Sequence, residues 1–308
     1  MEFNHISVLL EESVKALDVK PDGTYVDCTA GGGGHSAAVL EELGANGRMI
    51  LIDRDPDAVE TLEARFKGDA RVTVVQDNFS NIKTVLSGLG VDGVDGVIAD
   101  LGVSSHQLDT PERGFSFHTD AELDMRMSRT GKSARDVVNT YSAQQLAAVI
   151  TRYGEEKYAS SIANGIVRAR QKGEVRTTLQ LAEIISNSVP AKYKREGHPA
   201  RKTFQAIRIE VNGELDAVRD ALPDMFEALK PGGVLAIITF HSLEDKIVKE
   251  YFNTLKQGCT CPKDFPVCVC GKKPRAAVRS GGTKASQGEV EKNQRSRSAK
   301  LRTAVKLY

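Results

Sequence analysis

Apolar residues along this chain fall into two alternating patterns. Short solid runs, at Tyr25–Cys28, Arg48–Ile52, Val72–Val75, Gly93–Ala99 and Val234–Phe240, have the length and β-branched content of buried strands. Between and around them the spacing turns helical. Residues 7–17 place Val8, Leu9, Val14 and Leu17 on one face, Ser36–Leu43 follows the first run, and Pro56–Phe66 follows the second. Mostly apolar strands separated by helices predict a doubly wound parallel sheet covered on both faces.

The rhythm breaks after the fourth strand. Arg113–His118 and Leu123–Met127 read as an irregular loop, and helices with clear start signals follow. Ser142-x-x-Gln145 and Thr177-x-x-Gln180 fit capping boxes, Gly154 can end the first of these helices, and Pro190 lies beyond the third. Tyr158, Ile162, Ile166 and Val167 repeat at helical spacing between them. An all-helical insertion over residues 110–198 is expected, dividing an α/β domain into residues 1–109 and 199–308. The α/β pattern resumes with Phe204, Ile207, Val211, Leu215, Val218 and Leu222 at helical spacing, and Met225, Phe226 and Leu229 lead on to Lys230-Pro-Gly-Gly233. A helix after the fifth strand carries Ile247, Val248, Tyr251, Phe252 and Leu255, and Ser298–Leu307 alternates as a last strand would.

The chemistry gathers where these strands end. After Tyr25-Val-Asp-Cys28 come four glycines, Gly31 to Gly34, and then a helix. A strand, glycine turn and helix let a nucleotide-like ligand approach the backbone, and the helix N-terminus adds unpaired N–H donors. Asp53 ends the second strand about twenty residues on, where a carboxylate can accept ribose hydroxyls, while Asp55 is suited to capping the helix at Pro56. Asp77-Asn-Phe79 ends the third strand and Asp100-Leu-Gly-Val-Ser-Ser-His-Gln107 the fourth. Two cofactor classes use such an edge. Gly32-x-Gly34-x-x-Ala37 satisfies the dinucleotide fingerprint formally, a weak signal by itself. S-adenosylmethionine accounts for more: an acid opening the loop at Asp27, one ending strand two, Asp-x-Phe after strand three, Asp100 near a reacting methyl group, and the Pro-Gly-Gly turn before strand five.

Composition narrows the setting. No apolar run reaches the roughly 18 residues that span a membrane. Acids at Glu2, Glu11, Glu12 and Asp18 do not suit a secretion or transit signal, so a cytoplasmic protein is expected. The net charge of +1 conceals an asymmetry, because residues 256–308 hold 13 Lys/Arg against 3 Asp/Glu, a net of +10. Residues 168–208 hold 10 Lys/Arg against 3 acids. Such segments suit a polyanionic partner, or equally a solvated and partly disordered tail. Four of the five cysteines form Cys259-x-Cys261-x6-Cys268-x-Cys270. They could hold zinc through four thiolates or form a reduced, partly buried hairpin.

Several stretches together resemble one family: Asn4-His-Ile-Ser-Val-Leu-Leu10, Gly31-Gly-Gly-Gly-His35, Asp53-Arg-Asp55, Asp100-Leu-Gly-Val-Ser-Ser105, Arg113-Gly-Phe-Ser-Phe117 and Leu123-Asp-Met-Arg-Met127. Tyr153-Gly-Glu-Glu156, Thr203-Phe-Gln-Ala-Ile-Arg208 and Phe240-His-Ser-Leu-Glu-Asp245 continue the match in the same order. The chain is similar to the bacterial small-subunit ribosomal RNA methyltransferase H (MraW) family, with a cysteine-rich segment that only some members carry. The resemblance implies a Rossmann-like S-adenosylmethionine-dependent methyltransferase sheet with an inserted all-helical substrate-recognition domain. It implies methyl transfer to N4 of a cytidine in the decoding centre of 16S rRNA, so the small ribosomal subunit is the partner, with a homodimer left open. It carries cofactor contacts onto Gly33, Gly34, His35, Asp53, Phe79, Asp100 and Gln107.

An exocyclic cytosine amine is a weak nucleophile, so acceptors for its hydrogens matter, and Asp100 and the backbone carbonyls of the following loop are the natural ones. Leu101-Gly-Val stands where many amino-methyltransferases carry Pro-Pro-aromatic, which requires a different amine geometry. Phe115 or Phe117 could stack on a splayed base, or they could only anchor their loop. Asp124 and His241 are further substrate candidates. His35 suits a helix-start cofactor contact better than an acid or base, and His5 reads as a surface or capping residue. A rival reading from another class is an rRNA-binding ribosome-assembly factor that uses the cofactor only structurally. A DNA methyltransferase is disfavoured by the missing Pro-Pro.

Overall fold

A computed structural model describes residues 7–195, 197–262, 266–267 and 269–308, so the readings of Asn4, His5 and Cys268 lie outside the described residues. The chain divides into two compact units, Met1–Gly102 with Leu215–Tyr308, and Val103–Glu214. In chain order the first unit opens with α1 (Leu10–Leu17), β1 (Thr24–Asp27), α2 (Gly34–Glu42), β2 (Arg48–Asp53) and α3 (Pro56–Arg65). It continues with β3 (Val72–Gln76), α4 (Ile82–Gly88) and β4 (Val94–Asp100). The second unit holds α5 (Ser105–Asp109), α6 (Ala134–Thr140), α7 (Ala143–Gly154), α8 (Ala159–Arg170), α9 (Thr178–Asn187) and α10 (Ala200–Asn212). The chain then returns through α11 (Glu214–Glu227), β5 (Leu229–Thr239), α12 (Ser242–Lys256), β6 (Ala276–Val278), β7 (Thr283–Lys284), α13 (Gln287–Lys292) and β8 (Lys300–Lys306).

The sheet order is β3-β2-β1-β4-β5-β8-β6, with β7 also paired to β8. The first five strands are parallel, and β8 runs antiparallel to β5. Burial explains the solid apolar runs. Met49, Ile50, Leu51 and Ile52 are all sealed from solvent. Met49 and Leu51 join the core that includes Val14, Leu17, Val39, Leu40 and Leu62 of α1, α2 and α3. Ile50 and Ile52 join the opposite core, with Ile82, Leu86, Phe226 and Phe252 of α4, α11 and α12. Consecutive strand residues point to opposite faces, so a strand covered on both sides must be apolar throughout. Strand order reverses between β1 and β4, which makes their carboxyl ends the topological switch point of the sheet.

The helical unit has its own core, built from Leu146, Ile150, Ile162, Ile166, Leu181, Ile185, Phe204 and Ile207 among others. The expected capping boxes at Ser142/Gln145 and Thr177/Gln180 are formed, and Ser133/Asp136 and Ser104/Gln107 form two more. The unit boundaries differ from the expected 110–198. The unit takes in α5 and α10 because Phe204 and Ile207 of α10 belong to its core. The helical spacing that runs from Phe204 to Leu222 spans two helices. Gly213 adopts φ +59 and its N–H donates to Ile209 O, ending α10, after which Val218 and Leu222 of α11 join the core of the sheet. Leu229 begins β5 and does not continue the helix.

Gly154 sits where α7 meets α10. A Cβ there would lie 2.6 Å from the Lys202 carbonyl oxygen and 3.3 Å from the Ala206 Cβ. Gly154→Ala is therefore expected to destabilise the helical unit by about 1–3 kcal/mol through overpacking. Thermal denaturation followed by circular dichroism would show this as a lowered midpoint, and an unchanged midpoint would mean that the helices can separate at no cost.

Candidate active site

Three neighbouring strands, β2, β1 and β4, end in Asp53, Asp27 and Asp100. Asp27 is buried; its Oδ2 accepts the Ser36 hydroxyl at 2.6 Å and its Oδ1 the Thr29 N–H at 3.1 Å. Asp53 joins two loops, its Oδ2 accepting from the Gly31 N–H at 2.8 Å and its Oδ1 from the Asp55 N–H at 2.9 Å. The Asp100 N–H donates to the Thr29 hydroxyl oxygen at 2.6 Å, so Thr29 links the ends of β1 and β4. The Asp100 carboxyl differs from the other two, because its Oδ1 is sealed from solvent and has no hydrogen-bond partner.

Crowding these acids out of water raises their proton affinity. Burial pushes Asp27 up to about 6, against the lowering effect of Ser36 and Thr29. Burial also pushes Asp53 up to about 6, opposed by the N–H groups of Asp55 and Gly31 and reinforced by the charges of Asp55 and Asp27. Asp100 is raised well above the carboxylate range by burial, then by the charges of Asp27 and Glu244. Such an edge favours a cationic ligand, which would relieve all three groups together.

The glycine loop is shaped by the protein as much as by any ligand. Gly33 has φ +75 and caps α2 without a side-chain hydrogen bond of its own. A Cβ on Gly33 would lie 2.7 Å from the Phe66 ring, and one on Gly34 only 1.9 Å from the Ser7 Oγ. His35 is buried, its Nε2 lies 3.0 Å from the Val8 carbonyl oxygen, and burial lowers its pKa to about 4. Its imidazole is thus neutral and fastens the segment before α1 onto α2. Any contact of His35 with a cofactor falls to its backbone and not its ring.

Phe79 stands after β3 in a short turn capped by Asn78 and lines a small apolar hollow with Leu101, Leu222, Met225 and Ile237. His241 caps α12. Glu244, itself buried, accepts the Phe240 N–H at 2.9 Å and the His241 N–H at 3.3 Å. The His241 Nε2 lies 2.9 Å from Glu244 Oε1 without hydrogen-bond alignment. Thr29, Ser36 and Glu244 were not among the expected site residues, and Asp27 was noted only as the acid that opens the glycine loop. Asp27 was visible as a strand-end acid and Glu244 as the third residue of a capping box, but neither pattern distinguishes a buried charge from an exposed one.

The other candidates lie in the helical unit. Gln107 is buried, and its Oε1 accepts the Ser104 N–H at 3.0 Å in a capping box. Phe115 is 6% exposed within the helical core, with the Arg113 guanidinium 5.9 Å from its ring centroid. A side chain so covered offers no face to a base, and the structure gives it the anchoring role. Phe117 is half-buried, stacked on His198 at 4.4 Å and edge-on to Phe204 at 5.4 Å. Asp124 holds Arg126 with both oxygens, at 2.9 and 2.7 Å. Burial alone would raise its pKa, but the Arg126 hydrogen bonds outweigh this and lower it. Arg113 donates to the carbonyls of Arg126 and Met127, and Asn212 pairs with Met125 O and Met127 N–H. The Leu123–Met127 loop is wired from within, which assigns Asp124 to holding that loop.

A parallel sheet in 3-2-1-4-5 order, with acids at its switch point and a glycine-led helix beside them, defines a doubly wound α/β protein built to hold a nucleotide-type cofactor. Over residues 2–307 the sequence matches the MraW methylase family, and the chain belongs to that family. A relative from Clostridium botulinum (strain Kyoto / Type A2), Ribosomal RNA small subunit methyltransferase H, is 51% identical over 309 residues that cover all of both chains. One of the same name from Symbiobacterium thermophilum is 53% identical over 312 residues, covering all of this chain and 98% of its own. Among solved structures, an rRNA methylase from Streptococcus thermophilus aligns over 99% of both chains at TM-score 0.45 and 12% identity, a likeness too slight to support any inference. The cofactor is S-adenosylmethionine. Its donor set fits this edge, since Asp53 and the orphaned Asp100 oxygen suit hydroxyl and cationic groups, and the glycine-led start of α2 suits a carboxylate.

The raised acids make stability depend on pH. A carboxyl whose folded pKa exceeds its unfolded value stabilises the protein below the unfolded pKa, and that contribution is lost as pH rises through the folded pKa. For Asp27 the window runs from its ordinary value of 3.8 to about 6, while His35, with its lowered pKa, acts in the opposite sense. Asp27→Asn isolates the first effect. Relative to the parent, the variant is expected to gain roughly 2 kcal/mol between about pH 4 and about pH 7.5. Unfolding experiments at both pH values would detect it, and a pH-independent difference would show that Asp27 is not desolvated.

Proposed function

We propose that the protein transfers a methyl group to N4 of a cytidine in the decoding centre of 16S rRNA, acting in the cytoplasm on the small ribosomal subunit. The observation that carries the substrate class is end-to-end identity of 51% to a relative named Ribosomal RNA small subunit methyltransferase H. The choice of N4 rests on the motif resemblance to the family as a whole.

S-adenosylmethionine, when bound, supplies an activated methyl group. The chain's own residues do the rest. Asp53 and Gly31 fix the turn between β1 and α2, and Phe79 offers an apolar face after β3. Asp100 keeps Oδ1 as an acceptor, dry and unpaired, at the switch point. An amine whose lone pair is delocalised into the ring becomes more nucleophilic as its hydrogens are bonded and its nitrogen pyramidalises. Oδ1 of Asp100 suits that role and can take the proton released as the N–C bond forms. In the helical unit, base stacking falls to Phe117 with His198, since Phe115 is enclosed.

Small subunits from cells lacking this protein, incubated with the purified chain and methyl-labelled S-adenosylmethionine, are expected to yield labelled N4-methylcytidine on digestion to nucleosides. Label in another nucleoside would overturn the acceptor, and no label with cofactor binding intact would favour the assembly-factor reading. In the same assay Asp100→Ala should lower turnover by roughly 10²-fold or more. Full turnover by that variant would remove Asp100 from the reaction.

A further inference from the structure

The cysteine motif has no part in the acidic edge. It lies in the connection between α12 and β6, in the same unit as the sheet. The ends of that connection are pinned together, the Arg275 N–H donating to Leu255 O at 2.8 Å. Within it, the Sγ atoms of Cys259, Cys261 and Cys270 all lie within 4.8 Å of one another. Cys259 and Cys270 bring their sulfurs to 3.7 Å. For four sulfurs at about 2.3 Å around a tetrahedral zinc ion, the sulfur–sulfur edge is about 3.8 Å.

The backbone supplies a second, independent sign. The N–H of Cys261 points at Cys259 Sγ, that of Val269 at Cys261 Sγ, and that of Thr260 at Cys270 Sγ, each at 3.4 Å. Three backbone N–H groups thus converge on the sulfurs, an arrangement suited to metal-bound cysteines, whose sulfurs accept more strongly than a thiol does. Among the described residues of the loop no apolar packing explains the convergence, because Val267 and Val269 are 70% and 72% exposed.

We propose that Cys259, Cys261 and Cys270 are ligands of a structural zinc-type divalent cation. Thiolates select soft or borderline cations over magnesium or calcium. Binding forms one metal–sulfur bond per cysteine and releases one proton from each thiol to solvent, with no redox change. The ion closes the connection between α12 and β6 and fixes the approach of the chain to the last three strands.

The test uses the full chain, purified without chelator and without a polyhistidine tag, and analysed by elemental and native mass spectrometry. One zinc per chain is expected, released in step with titration of the cysteines by a mercurial reagent. Replacement by cobalt should give sulfur-to-metal charge-transfer absorption. The Cys259→Ser/Cys270→Ser double variant should lose the metal while keeping its far-ultraviolet circular dichroism and cofactor binding, since the loop is not part of the acidic edge. Absence of metal after dialysis against zinc would overturn the proposal. So would full retention by the double variant, or a Cys259–Cys270 disulfide in freshly purified protein.

Discussion

The carboxyl edge of the sheet depends on keeping three carboxyl groups out of water while their oxygens remain usable. Asp27 and Asp53 meet the constraint by accepting from Ser36, Thr29, Gly31 and Asp55, and in doing so they fix the loops that follow β1 and β2. Asp100 meets it only in part, since Oδ1 is buried without a partner. An unsatisfied buried acceptor costs about 1–3 kcal/mol. It persists because the strand beneath is held by apolar packing on both faces, and Val97, Ile98 and Ala99 are completely or almost completely buried. Strain of this kind at a strand end, above a rigid core, is where a ligand gains most from arriving.

Much of what looks like a binding motif is scaffolding for that edge. Gly33 and Gly34 leave room for Phe66 and Ser7, and His35 fastens the segment before α1. In the helical unit, Arg113, Asp124 and Asn212 serve the backbone of the Leu123–Met127 loop, in which Met125 takes φ +61 although it is not glycine. A left-handed methionine costs free energy, and it is kept because three polar side chains determine the loop around it. Residues of this kind support chemistry by position without touching the reacting atoms.

The parts of the fold that the sequence made legible are those where one local rule acts alone. Solid apolar runs could only be strands covered twice, and Ser-x-x-Gln before an apolar period could only be a helix start. The break at Gly213 was hidden because α10 and α11 share one apolar spacing while burying it in different cores. The short strands β6 and β7 carry three and two residues, too few for any period to show. The choice between stacking and anchoring for Phe115 was left open for a related reason. In an irregular loop no period reports which side chains turn inward, so its burial depends on tertiary contacts alone.

The basic C-terminal segment shows how charge counted along a chain differs from charge presented at a surface. Lys300 and Arg302 of β8 both bind Asp245 of α12, at 2.9 and 2.6 Å, and hold its carboxyl below the usual range although burial acts the other way. Arg275 pairs with Glu227, and Lys306 donates to the carbonyls of Glu227 and Leu229. These four cations brace the antiparallel half of the sheet against the helices beside it, and Arg302 is itself buried. The field that the segment offers a polyanion is correspondingly weaker than its net of +10 suggests. Part of the asymmetry that reads as an RNA footprint is the means by which the last strand is held in place.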